Sequence, residues 1–219
     1  MTSGTLTRAP FLVLLDVDST LIEDEVIELI ADYAGVTAQV TEVTERAMAG
    51  ELAFEESLRH RVALLEGVSA ADVASVVDRV VVTDGVPELV SGVHAAGGYI
   101  AAVSGGFHEI LDDLAARLDL DRWRANRFEI IEGRLTGRVS GPIIGREAKR
   151  DTLLEWADEL GVDPSRTVAI GDGANDLGMM SAAGLSIAFD AKPVVREQAH
   201  ISLPDRDMRQ VLHVLGLAG

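Results

Sequence analysis

The chain has 219 residues, enough for one good hydrophobic core or for one core carrying a sizeable insert. With 47% hydrophobic and 25% charged residues it reads as globular, and the absence of Cys excludes disulfides, thiolate metal ligands and a Cys nucleophile. A net charge of −17 with 4% aromatic residues argues against a nucleic-acid partner, which needs basic patches and stacking surface; an acidic protein acting on a small anion needs a local cation instead.

Residues 1–10 are polar, and the apolar run after them is too brief for a signal core or a membrane span, so the expectation is a cytoplasmic enzyme with no membrane contact. That run, Phe11 to Leu15, reads as a buried strand that delivers Asp16 to the mouth of a sheet. Asp18 follows two residues later. Strand periodicity starts the two carboxylates on the same side, where like charge favours a bound cation between them or a proton on one.

A helical stretch follows, from about Glu23 to Val82. Val26, Ile27, Ile30 and Tyr33 set a first helix that ends at Gly35; a second spans Gln39 to Met48, and a third Leu52 to Glu66. Ser69 with Asp72 forms a capping pair for a fourth, whose apolar face is Val73, Val76, Val77 and Val80. In the third helix Phe54, Leu58, Arg61 and Leu65 share one stripe, so the Arg61 guanidinium either snorkels to solvent or binds an anion.

Alternation then resumes: helix Val86 to Ala96, strand Tyr99 to Val103, helix Glu109 to Leu118. Phe128 to Ile131 and Leu135 to Val139 flank Glu132-Gly133-Arg134 as a hairpin. Helix Glu147 to Leu160, strand Val168 to Ile170, a helix near Leu177–Ala183 and strand Leu185 to Phe189 complete the pattern. Strands alternating with helices predict a parallel sheet covered on both faces, with ligands off the carboxyl ends of the strands. The expected organisation is an α/β core from residues 1–22 and 83–219, with a small helical-bundle cap, 23–82, inserted after the first strand.

Three predicted strand ends carry chemistry: Asp16-x-Asp18-Ser19-Thr20, Ser104-Gly105-Gly106, and Gly171-Asp172-Gly173-Ala174-Asn175-Asp176. Each has a plain alternative on its own, as a helix cap, a turn with Gly at positive φ, or an acidic turn. Lys149 alone reads as a surface lysine, yet it and Lys192 are the only lysines in a chain that otherwise uses Arg. The joint occurrence, in this order and at strand ends, resembles the haloacid dehalogenase (HAD) superfamily of aspartate-nucleophile phosphatases. The resemblance runs from about Phe11 to Leu215 and extends to Glu25, Ala47-Met48-x-Gly50, Phe54-x-x-Ser57-Leu58-x-x-Arg61-Val62 and Ala148-Lys149.

The resemblance implies a HAD-like Rossmannoid core and an aspartyl-phosphate mechanism. Asp16 is the implied nucleophile, and Asp18 the acid that protonates the leaving alkoxide and then the base that activates water. Whether Asp18 starts out protonated stays open. Mg²⁺ is the implied cofactor, held by Asp16, Asp172 and the Asp18 carbonyl, with Asp176 behind them next to Lys149. Ser104, Gly105, Lys149 and Asn175 are expected at the phosphoryl oxygens, while Thr20 shapes the first loop. In the cap, the matching positions pair Arg61 with a substrate carboxylate and Glu25 with its ammonium, under a lid of Met48 and Phe54. The branch so indicated hydrolyses O-phospho-L-serine, the last step of serine biosynthesis, as a monomer or homodimer. No amino-acid-sensing domain is expected ahead of residue 10. The same chemistry on a relative such as phosphohomoserine, phosphotransfer to an alcohol, and a non-catalytic phospho-ligand sensor are the competing readings. The five histidines match no catalytic motif.

Overall fold

A computed structural model of the chain describes residues 9–48 and 51–217, with the side chains of 45, 47 and 48 left out. Seven strands form one sheet: β1 (Leu12–Leu15), β2 (Tyr99–Phe107), β3 (Arg122–Ile131), β4 (Arg134–Ser140), β5 (Thr167–Gly171), β6 (Leu185–Phe189) and β7 (Ile201–Leu203). Their order is β4-β3-β2-β1-β5-β6-β7, parallel throughout except for the β3–β4 hairpin. The hairpin turns through Glu132 at φ 50° and Gly133 at φ 75°, left-handed positions that a two-residue turn between twisted strands requires.

Between β1 and β2 come α1 (Val26–Ala34), α2 (Thr37–Met48), α3 (Phe54–Ala63), α4 (Ala70–Ser75) and α5 (Val86–Ala95). Helices α6 (His108–Leu118), α7 (Arg146–Glu159), α8 (Leu177–Ala182), α9 (Pro193–Arg196) and α10 (Arg209–Val214) follow in turn. As the spacing predicts, the Ser69 hydroxyl caps α4 by accepting from the Asp72 N–H at 3.0 Å. None of these helices is long and apolar enough to cross a membrane.

The β1 side chains alternate across the sheet, and each face has its own core. Val13 and Leu15 join α1, α5, α6 and the helices before α5 through Ile30, Leu58, Val73, Leu89 and Leu114. Leu12 and Leu14 join α7, α8 and α9 through Leu153, Trp156, Met179 and Val195. All four β1 residues have no exposed surface, each contributing roughly 1.5–3 kcal/mol of burial free energy. Chain direction across the sheet reverses at β1: β2 and β3 run outward on one side, β5 to β7 on the other. The crevice at such a reversal, off the carboxyl ends of the strands, is where open α/β sheets bind ligands.

Two expectations need correction. Tyr33 does not complete the apolar face of α1; it is 43% exposed, with its hydroxyl 3.0 Å from Ser75 Oγ and the Arg79 guanidinium over its ring. Its amphipathic ring suits a surface site that the spacing alone cannot distinguish from a core one. Ser104-Gly105-Gly106 is not a loop after the second strand. It continues β2 as far as Phe107, across a shift in register with β3 between Val103 and Phe107.

Candidate active site

Asp16 extends β1 by one ladder bond, its N–H donating to the Ile170 carbonyl at 2.9 Å, and its own Oδ1 accepts from the Val17 N–H at 2.7 Å. The chain then leaves the sheet through a wide turn closed by the Ile22 N–H on the Val17 carbonyl at 3.0 Å. Ser19 holds φ 57° at its apex, a left-handed conformation uncommon for a residue with a side chain. Ser19 Oγ donates to Glu25 Oε1 at 2.9 Å, fixing Glu25 beside the turn, and the Arg206 guanidinium holds the Ser19 carbonyl at 3.2 Å from the far side. Thr20 is fully buried within this turn, where its carbonyl accepts from Thr83 Oγ1 at 2.8 Å.

Lys149, on α7, has no exposed surface. Its Nζ lies 2.6 Å from Asp16 Oδ1 and 2.7 Å from Asp176 Oδ1, and Asp176 Oδ2 accepts from the Gly173 N–H at 3.0 Å. Burial disfavours the ammonium, but Asp16 and Asp176 outweigh it and raise the Lys149 pKa. Asp16, Asp172 and Asp176 each offer a carboxylate oxygen within 4.8 Å of the others. A single buried lysine against three carboxylates leaves the cluster short of positive charge. Burial and Asp176 accordingly push Asp172 up to about 6, with Lys192 Nζ 3.8 Å away as a weak counterion.

The expectation that Asp16 and Asp18 perturb each other through mutual repulsion is not what the geometry gives. Both are held well above the ordinary carboxylate range, first by burial. The strongest like-charged neighbours of Asp16 are Asp176 and Asp172, whereas that of Asp18 is Glu25. Asp18 itself is extended, at φ −61° and ψ 134°, but the chain has already left the strand at Val17, so strand periodicity does not relate the two side chains.

On the second strand end, Ser104 is buried and its Oγ accepts from the Gly106 N–H at 2.7 Å, leaving its own O–H free to donate. Gly105 and Gly106 are glycines because of close approach, not positive φ. A Cβ at Gly105 would lie 2.8 Å from Phe54 Cζ, and one at Gly106 would lie 3.2 Å from Asp18 Oδ2. The Gly105 carbonyl accepts from Asn126 Nδ2 at 2.8 Å, and Asn126 Oδ1 accepts from the Ile144 N–H at 2.8 Å.

These strand ends form the floor of a cleft of about 680 Å³ whose opposite wall is α1 and α3. Asp16, Asp18, Gly105, Asp172 and Asn175 line the floor; Glu25, Phe54 and Arg61 line the wall. Ser104, Lys149, Asp176 and Thr20 lie buried behind it. Arg61 donates from Nε to the Ser57 carbonyl at 3.4 Å. Burial lowers its pKa while Glu25, Asp18 and Glu28 act to raise it. Met48 closes α2, and its side chain lies outside the described residues, as does Gly50.

Several residues at the site carry no sequence signal read above. Asn126 could have been suspected as a polar residue in a strand. Arg206, Lys192 and Arg146 had no motif to mark them. His108 is structural: its Nδ1 lies 2.7 Å from Asp112 Oδ1, and its Nε2 accepts from the Ala125 N–H.

Residues 13–181 match the family model of the haloacid dehalogenase-like hydrolases. A phosphoserine phosphatase from Streptomyces coelicolor is 51% identical over 98% of the chain, which spans only 52% of that relative. One from Streptococcus thermophilus is 45% identical over 95% of the chain and 97% of its own length. A solved phospho-aspartyl intermediate analogue of phosphoserine phosphatase superposes with a TM-score of 0.90 at 40% identity, covering 94% of this chain and 99% of that one. A substrate-bound phosphoserine phosphatase complex matches equally well. The chain belongs to the haloacid dehalogenase-like hydrolases and, within them, to the phosphoserine phosphatase family.

Proposed function

We propose that this chain hydrolyses O-phospho-L-serine to L-serine and phosphate through an aspartyl-phosphate on Asp16. The observation that carries the reading is one cleft with the buried Asp16–Lys149–Asp176 group on its floor and both Glu25 and Arg61 on its wall. An amino-acid phosphate needs one anionic and one cationic contact beyond its phosphoryl group, and the wall supplies them.

The carboxylate cluster fits a hard divalent cation. All its donors are oxygens, its charge is under-compensated, and Asp172 has a raised pKa that a cation would relieve. Mg²⁺ would be held by Asp16, Asp172 and the Asp18 carbonyl. Both carboxylate oxygens of Asp176 are already engaged, by Lys149 and Gly173, so it acts as an orienting group. When bound, the metal supplies positive charge to the phosphoryl oxygens.

A carboxylate oxygen of Asp16 attacks phosphorus, forming the P–O bond to the enzyme as the bond to the serine oxygen breaks. Asp18, whose pKa burial and Glu25 raise well above the ordinary carboxylate range, is the acid that gives a proton to that departing oxygen. Asp18 then takes a proton from the water that attacks the aspartyl-phosphate, which releases phosphate and regenerates Asp16. Two of the three Lys149 N–H groups face Asp16 and Asp176, leaving one for a phosphoryl oxygen beside the Ser104 hydroxyl, the Gly105 N–H and Asn175. Residues 23–82 act as the cap on a core of 1–22 and 83–219, with Phe54 excluding water above Gly105.

The test is phosphate release from O-phospho-L-serine with Mg²⁺, against an EDTA control and a panel of phosphothreonine, phosphohomoserine and phosphocholine. Metal-dependent preference for phosphoserine is expected. Activity confined to another panel member would overturn the assignment of Glu25 and Arg61, and label recovered on an alcohol would make the chain a phosphotransferase. No release from any substrate would leave a ligand sensor.

A further inference from the structure

We infer that Ser57 is a specificity-determining residue whose hydroxyl donates to the substrate carboxylate beside Arg61; the inference rests on the function proposed above and deepens it. Ser57 is 1% exposed, lies on α3 and lines the cleft. Its Oγ has no hydrogen-bond partner among the described residues. Hydroxyls inside helices, whatever their exposure, often return to the carbonyl four residues back. Thr44, Ser91 and Thr152 do so here, at 3.0, 2.8 and 2.7 Å from the carbonyls of Val40, Pro87 and Ala148. Ser57 does not, although the Ala53 carbonyl is the corresponding acceptor.

A buried hydroxyl left unpaired is unfavourable, and a cleft wall is where a ligand can satisfy it. Ser57 and Arg61 stand four positions apart, which sets them one helical turn apart on the same face. Arg61 Nε is engaged by the Ser57 carbonyl, so the two terminal nitrogens of the guanidinium remain for an anion. A carboxylate has two oxygens with about four acceptor sites, enough to take the guanidinium and a neighbouring hydroxyl together. The anionic group Arg61 recognises would therefore close the open hydrogen bond of Ser57.

The test is Ser57→Ala, which removes the hydroxyl and leaves the helix and side-chain volume nearly intact. The readouts are kcat and KM for O-phospho-L-serine, the inhibition constant of inorganic phosphate, and the melting temperature. The expected result is a KM raised about tenfold with kcat little changed, the loss of a contact made equally before and during reaction. Phosphate carries no carboxylate, so its inhibition constant should hold, and so should the melting temperature. An unchanged KM, a parallel weakening of phosphate, a fall confined to kcat, or a drop of several degrees in melting temperature would each overturn the assignment. Failure of the unmodified protein to use phosphoserine would be a different result, directed at the function itself.

Discussion

Replacing Lys149 by Met removes the only ammonium that, among the described residues, pairs with Asp16 and Asp176, while filling the same space. Its Nζ sits 2.6 and 2.7 Å from the two carboxylates, and the three side chains are 0–6% exposed. Breaking a buried ion pair by deleting one partner is destabilising by about 3–5 kcal/mol, because the remaining charge has no water to turn to. At roughly 2–4 °C per kcal/mol for a chain of this size, the melting temperature should fall by about 6–20 °C at pH 7 in EDTA. Asp16 already sits well above the ordinary carboxylate range through burial, and removing the ammonium raises it further. A raised carboxylate pKa favours the folded state at low pH and loses that advantage as pH rises through it. The deficit should therefore shrink markedly at pH 5, and Asp176→Asn in the same chain should recover part of it at pH 7. A Lys149→Met melt within about 2 °C of the unmodified protein, or a deficit equal at pH 5 and pH 7, would refute the argument.

Asp172 offers a second pH test. Its pKa is pushed up from 3.8 to about 6, so the metal-free protein should gain about 1 kcal/mol from this group alone as pH falls from 7 to 5. Asp172→Asn should flatten that part of the melting curve, and saturating Mg²⁺ at pH 7 should raise the melting temperature of the unmodified protein but much less that of the variant. Gly105→Ala puts a methyl group 2.8 Å from Phe54 Cζ. It should be destabilising by about 1–3 kcal/mol and should lower kcat/KM about tenfold, readable by thermal melting beside steady-state kinetics.

The parts of the site that local chemistry dictates were legible in the sequence. The apolar run to Leu15 reads as a buried strand that ends on Asp16, and three polar ends of parallel strands converge on one crevice. Lys149 stood out because this chain otherwise uses Arg, and its burial explains why: a compact ammonium can face two carboxylates in a space that a guanidinium fork would overfill. What did not follow depends on tertiary contact. The end of β2 carries no turn signal distinguishable from two glycines, so only the register with β3 shows that the strand runs on to Phe107. Asn126 is meaningful because the Gly105 carbonyl and the Ile144 N–H happen to meet it. The C-terminal elements β7 and α10 span residues 201–203 and 209–214, too short for periodicity to register. The partners of Asp16 and Asp18 were misjudged because the chain leaves the strand at Val17, so strand periodicity no longer relates the two carboxylates.

The short segment between α3 and α4 is sewn to the β3–β4 hairpin. The Gly67 and Ala70 N–H groups donate to the carbonyls of Leu135 and Gly133, the Leu135 N–H returns to Val68, and Arg134 reaches the Gly67 carbonyl. At the other end, the Glu23 and Thr83 N–H groups donate to the carbonyls of Val81 and Leu21. The roof of the cleft is thus riveted along two seams. The two ends of α3 therefore differ: Arg61 lies on its last turn, a few residues from a main-chain seam to the core hairpin, whereas Phe54 stands on its first turn, a helix length away from that anchor.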